Sequence, residues 1–139
     1  MAKAVGFDDL SFVPALHRVR VPVDRTGKPM PIDPATQKTE TISGFSEQAE
    51  YGGGHREGIT SADESPGVIF VPDHSSRRPI VVDEPSRKII ATAPPGTGPD
   101  YVRFVAETSE VRVTEPSAQG IEEGPALVAS TGGADLRCQ

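Results

Sequence analysis

The sequence predicts an all-β protein: an antiparallel β-sandwich, a jelly roll of about eight short strands, with extended arms at the N-terminus and in one loop. Three observations predict it. The 14 Val and 8 Ile outnumber the 4 Leu, and β-branched side chains suit a pleated surface whereas Leu is the main apolar residue of helices. Short β-branched runs recur with starts about 9 to 15 residues apart, each gap carrying Pro, Gly, Asp or Ser. Helix-forming residues gather only once, in SEQAEY (46–51), and GGG cuts them off, so one helical turn is the most expected there.

Taken in order, residues 1–14 read as an arm whose Phe7, Leu10 and Phe12 alternate irregularly with Asp8, Asp9 and Ser11 before Pro14 closes it. ALHRVRVPV (15–23) has the two-residue period of a half-buried strand, with His17, Val19, Val21 and Val23 expected on the core side and Arg18 and Arg20 outside. Pro22 marks it as an edge strand or a strand end. In 24–37, Pro29, Pro31 and Pro34 forbid a helix and favour an extended excursion. KTETISGF (38–45) alternates well enough for a short strand, and 52–66, with four glycines among polar residues, reads as a long loop. Strands are then expected at 67–72, 79–83, 88–92, 101–106, 110–115 and 125–130, with 131–139 as a tail. This divides the chain into an arm (1–14), a sandwich domain (15–130) and a tail (131–139). No internal repeat at a fixed period is evident by this reading.

Composition narrows function. The net charge is −6, and no segment gathers five like charges, so the sequence predicts neither a nucleic-acid partner nor an anionic membrane, both of which call for a basic patch. The single Cys138 cannot form an internal disulfide, and the first twenty residues hold no apolar run of signal-peptide length. The expectation is a protein made and used in the cytoplasm, or in a particle assembled there.

Candidate catalytic groups fail on mechanism. IIATAPPGTGPD (89–100) has a Gly-rich turn, but Pro99 and Asp100 stand where a phosphate loop needs Lys and Ser or Thr. Asp73, His74, Ser75 and Ser76 hold the residue types of a hydrolytic triad, yet consecutive side chains do not line up nucleophile, base and acid, so a turn is expected. His17, His55 and His74 lie far apart without the His-x-His of a cupin; a small cupin-like or β-barrel metal enzyme using them is the competing reading. Asp8 with Asp9 and Glu122 with Glu123 are adjacent acids, not a pair flanking a cleft. The basic pair Arg77–Arg78 is expected at a solvated strand end, or in contact with an acidic partner. No cofactor, metal or small-molecule substrate is expected. A third reading, an adhesin or tail-associated module, has little aromatic surface to use, with no Trp and 2 Tyr.

A small acidic β domain with apolar residues in Pro-rich arms works by surface. In size, acidity, run of short strands and loose arms at 1–14, 24–37 and 131–139, the chain resembles the cement or decoration proteins of tailed-phage capsids. That resemblance implies a jelly roll, a homodimer on the outside of a virion shell and a role in clamping neighbouring major capsid subunits. Phe7, Leu10 and Phe12 in the arm, and Met30, Pro31 and Ile32 in the excursion, are apolar where the local sequence offers no partner, and are the residues expected to pack on one.

Overall fold

The structure, a computed structural model, describes residues 5–50, 52, 56–94, 96–118 and 120–125. Ten strands run in chain order: β1 (Ser11–Val13), β2 (Arg18–Val21), β3 (Met30–Ile32), β4 (Asp63–Ser65), β5 (Val68–Asp73), β6 (Arg78–Asp83), β7 (Lys88–Thr92), β8 (Val102–Val105), β9 (Glu110–Glu115) and β10 (Gly120–Pro125). Among the described residues the helical pieces are three-residue 3-10 turns at Pro14–Leu16, Asp24–Thr26 and Pro116–Ala118. The protein is all-β and antiparallel. Each strand pairs with a chain neighbour, giving a first sheet β1-β2-β3, a middle sheet β4-β5-β6-β7 and a last sheet β8-β9-β10. A jelly roll needs pairing between strands distant in sequence; the described residues instead form three successive meanders. Short turns favour this, because closing a short loop costs the least chain entropy.

The middle sheet carries the core. All six residues of β5 are buried, the continuous apolar run of a strand covered on both faces. Strand alternation sends Ile69, Val71, Ile80 and Val82 to one face, where Ile42, Phe45, Ile59 and Ala62 fill the space beneath the first sheet. Val68, Phe70 and Val81 point the other way, onto Val102 and Val113 of the last sheet. Phe70 and Phe104 meet there with ring centroids 6.3 Å apart. Side chains tie the layers together: Phe104 N–H donates to Asp63 Oδ2 at 2.7 Å, Val102 N–H to Ser61 Oγ at 3.2 Å, and Thr60 Oγ1 to the Asp100 carbonyl.

A repeat of fifty residues underlies the first two sheets. The β2–β3 register sets Val19, Arg20 and Val21 opposite Ile32, Pro31 and Met30, and the β5–β6 register sets Ile69, Phe70 and Val71 opposite Val82, Val81 and Ile80. The turns agree as well. Gly27 N–H bonds Asp24 O as Arg77 N–H bonds His74 O, and Gln37 N–H bonds Asp33 O as Arg87 N–H bonds Asp83 O. Gly27 and Arg77 share φ 59°, and Gln37 and Arg87 have φ 56° and 60°. Over 19–38 against 69–88 five of twenty residues are identical, among them Pro29/Pro79, Asp33/Asp83 and Lys38/Lys88.

Several expectations change. The strand expected at 38–45 reduces to a single bridge, Ile32 to Thr39, and Ile42 and Phe45 serve as core plugs. No helical turn forms in the described part of 46–51, where Gln48 N–H is held by Arg25 O. β4, with the polar sequence DES, is a strand the pattern did not reveal. The strand expected at 125–130 lies outside the described residues but for Pro125, as do the tail and His55. The N-terminal arm is partly built in: Ser11–Val13 pairs with β2, and Asp9 is gripped at both carboxylate oxygens by Arg103, at 2.7 and 2.8 Å.

Candidate functional site

The strands of the first sheet divide its side chains cleanly. Ser11, Arg20 and Pro31 face one way, with Val13 and Arg18; Phe12, Val19 and Ile32 face the other, with Val21 and Met30. Which side meets the core is decided by Arg20. It is buried and pairs with Glu64 of β4, while Arg18 reaches Glu40 at 3.4 Å and Glu84 at 3.9 Å. The expectation that Arg18 and Arg20 point to solvent is therefore reversed, because two carboxylates of the middle sheet await them. Burial pushes the Arg20 guanidinium down to about 10, against the opposing fields of Asp63 and Glu84.

The other side of the first sheet carries no charge. Val21 is buried, Val19, Met30 and Ile32 are half-buried, and Phe12 is 54% exposed. In the segment leading into β1, Phe7 and Leu10 are 57% and 59% exposed. So the structure brings Phe12, Met30 and Ile32 onto one face, with Phe7 and Leu10 nearby in sequence, and sends Pro31 to the buried face, since neighbours on a strand point to opposite sides. The last sheet differs. Its outer face presents Arg103, Arg112, Glu110 and Thr114, with the half-buried Val105 and the exposed Ile121.

Beside this face a cleft of about 540 Å³ opens between the edge strands β1 and β4, lined by Phe12, Val13, Pro14 and Leu16 on one side and by Glu64 and Pro66 on the other. Asp63 at its margin has its carboxyl pushed up by burial, opposed by the Phe104 N–H and the Arg103 and Arg20 charges.

The chemical motifs resolve into structure. Asp73 is buried, accepting Ser76 N–H on Oδ1 at 3.1 Å and Ser46 N–H on Oδ2 at 2.8 Å, and Ser75 Oγ takes the Gly58 N–H and the Gln48 amide; the quartet is a turn that ties down loops. In the Gly-rich turn, Thr97 donates both N–H and Oγ1 to the buried Glu115, and Gly96 N–H bonds Arg77 O. These donors are committed within the chain. His17 is exposed in a left-handed turn, and His74 packs on Gly98 with Nδ1 3.3 Å from Pro99 O. Among the described residues no three His, Cys, Asp or Glu side chains could hold a metal, and no helix is long and apolar enough to cross a membrane. Arg77 and Arg78 are exposed at the β5–β6 turn, on neither of the faces described.

No family model and no curated protein matches the chain. Solved structures do. The chain superposes on hydrazine synthase of Kuenenia stuttgartiensis with a TM-score of 0.66 at 14% identity, covering 88% of this chain and 34% of that one. It also superposes on the β-propeller domain of Myceliophteria thermophila Cps50 (Swd1), with a TM-score of 0.67 at 12% identity, covering 88% and 40%. The fold is that of a stretch of a β-propeller. Its three meanders stack face to face as propeller blades do, and the chain spans between a third and two-fifths of the length of these structures. Of the residues that matter most for this reading, the Asp33/Asp83 pair carried a findable signal, namely Pro, a short apolar strand, Asp and then Lys five residues after the Asp, recurring fifty residues apart, whereas Arg20, whose counterpart is Phe70, carried none.

Proposed function

We propose that this chain is a non-catalytic structural module that binds another protein through the uncharged outer face of its first sheet. One observation carries the reading: Val19, Val21, Met30 and Ile32 are the repeat counterparts of Ile69, Val71, Ile80 and Val82, which are at most 5% exposed beneath a neighbouring layer. A face with the composition of a covered layer, extended by the exposed Phe12, suits a protein partner, since burying one such aromatic side chain is worth about 1.5–3 kcal/mol. In the narrower form that the sequence resemblance implies, the partner is the major capsid protein on the outer surface of a viral shell, which the chain would clamp as a cement protein of the virion. That form rests on the resemblance alone.

Photo-cross-linking in the producing cells tests the reading. A photoreactive phenylalanine analogue replacing Phe12 is expected to form discrete protein adducts, while the same analogue replacing Arg112 forms none. Equal labelling at both positions, or no adduct from position 12, contradicts it.

A further inference from the structure

We infer that the outer edge of β7 is a second docking surface, where an extended segment of another protein, apolar at its centre and acidic at both ends, lies along Ile89 and Ile90. Its acids meet Lys88 at one end and Arg77 and Arg78 at the other. This surface is separate from the first-sheet face and stands without it.

The repeat shows what is unusual about this edge. β7 ends the middle sheet, and no described strand pairs with its outer side. Its counterpart at the edge of the first sheet is 39–42, where Ile32 bridges to Thr39, Glu40 N–H bonds Pro31 O and Ile42 N–H bonds Pro29 O. In the middle sheet Val82 pairs with Ile89, Val81 with Ala91, and Ala93 N–H bonds Pro79 O. Ile89, Ala91 and Ala93 thus answer to Thr39, Glu40 and Ile42, and Ile90 is one added residue at the register shift between Val81 and Val82. A charged side chain guards an edge against foreign strands; the first sheet has Glu40 there, where the middle sheet has Ala91. A bulge alone would also guard the edge by turning it away. The added residue, however, is an isoleucine 48% exposed, beside another at 36%. Bulges re-aim side chains, and an isoleucine aimed at water contributes nothing to the chain's own core.

The charges around the edge name the occupant. Lys88 is exposed at one end. At the other, the chain after β7 continues beside β6 until Gly96 N–H bonds Arg77 O, so the exposed Arg77 and Arg78 flank that end. Among the described residues none of the three enters an ion pair. Their cross-strand neighbours Asp83 and Asp73 turn their carboxylates to backbone donors, Ser86 N–H in one case and Ser46 and Ser76 N–H in the other. Cations at both ends with isoleucines between them match a strand that is acidic at its ends and apolar between. A phosphate backbone would satisfy the cations and leave the isoleucines in water. A second copy fits worse. Pairing β7 with β7 brings Lys88 toward the other copy's Arg78 or its Lys88, cation toward cation in either direction, and pairing β7 with the Glu-bearing β10 leaves a free β7 at the end of every chain of copies, so the contact never closes.

Fluorescence anisotropy on the full chain tests this with a labelled peptide of alternating Val and Thr, long enough to span β7 and carrying Glu at both ends. Saturable binding is expected. It should weaken about tenfold or more when Lys replaces Glu in the peptide, and by a similar factor in Ile90→Asn, whose exposed position leaves the far-UV circular dichroism unchanged. Arg78→Glu is expected to weaken it about tenfold at low salt, and Arg112→Glu, the same change of charge on the last sheet, to leave it intact. A peptide methylated on alternate backbone nitrogens along either edge is expected not to bind, because strand addition uses main-chain hydrogen bonds. No binding of the Glu peptide, equal binding of the Lys peptide, binding untouched by Ile90→Asn, or equal losses in Arg78→Glu and Arg112→Glu overturns the proposal. Self-association that disappears in Ile90→Asn would give the edge to a second copy, and an oligonucleotide that binds the edge more tightly than the peptide would give it to a nucleic acid; either result overturns it as well.

Discussion

The first and middle sheets are two versions of one repeat, and they differ in what covers them. Ile69, Val71, Ile80 and Val82 lie beneath the first sheet, at 0–5% exposure; of their counterparts Val21 is buried, while Val19, Met30 and Ile32 are half-buried, at the surface of the same fold. Buried positions within the layers differ too. Arg20 occupies in the first stack the place that Phe70 occupies in the second, so one interface is centred on an ion pair and the other on stacked phenylalanines. Equivalent backbone thus supports two kinds of interface, and the side chains decide which partner a face accepts.

This contrast is open to attack by substitution. The largest effect is expected from Arg20→Leu, which strands Glu64 beneath the first sheet and costs about 3–5 kcal/mol; the double change Arg20→Leu with Glu64→Leu recovers most of it in denaturant unfolding. A single variant as stable as wild type would show that the ion pair does not hold the stack. Next come the apolar counterparts: Ile80→Ala costs about 2–4 kcal/mol as a core truncation, whereas Met30→Ala costs under about 1 kcal/mol in the monomeric chain. Equal costs would mean the outer face is a core in its own right.

The turns offer a smaller contrast. Gly27 and Arg77 share φ 59°, but a Cβ at Gly27 would press on the Ser46 and Phe45 carbonyls. Gly27→Ala is therefore expected to lose about 1–2 kcal/mol or more, and Arg77→Gly to gain less than about 1 kcal/mol by relieving left-handed strain. Gains or losses of one sign at both sites would contradict the turn equivalence.

The pH response should separate the sheets as well. Hydrogen bonds from Thr36 and from the Ala35 N–H hold the Asp33 carboxyl below its ordinary range, and Ser86 does the same for Asp83. Their contribution is present above the ordinary carboxylate range and lost as pH falls through their lowered values. Asp63 runs the opposite way: burial raises it, so its contribution is full below the ordinary range and lost as pH rises through the raised value. Asp63→Asn is expected to melt higher than wild type at pH 7, with the gap closing toward pH 3; Asp83→Asn is expected to melt lower at pH 7, its gap also closing in acid. A gap that widens in acid for either variant would contradict the assignment.

Much of this fold was legible in the sequence, for reasons that also explain what was not. β7 and β9 match the expected 88–92 and 110–115, and β5, β6 and β8 fall within two residues, because dense β-branched runs between strong turn formers leave little choice. β1, β3, β4 and β10 were missed: three of them are three-residue strands, one polar and one, Met30–Ile32, inside the Pro-rich stretch expected to be an unpaired excursion, and all are made by backbone pairing that composition does not signal. The inward face of β2 was misread because Arg20 is buried by a carboxylate 44 residues away, a tertiary effect that alternation alone cannot express. The repeat escaped because strands conserve pattern more than identity: Val19 answers to Ile69 and Met30 to Ile80. Of the residues expected at an interface, Phe7, Leu10, Phe12, Met30 and Ile32 are at least partly exposed, while Pro31 faces inward and Arg77 and Arg78 stand apart at a turn.

The central claim, that one repeat face is covered within the chain and its counterpart is left for a partner, is tested most directly by thermal unfolding of Ile32→Glu beside Val82→Glu, in solution dilute enough for the wild-type chain to be monomeric. The account predicts that Val82→Glu abolishes the cooperative transition while Ile32→Glu unfolds within a few degrees of wild type. An Ile32→Glu chain as damaged as Val82→Glu would contradict it, since the outer face would then be held by its own chain.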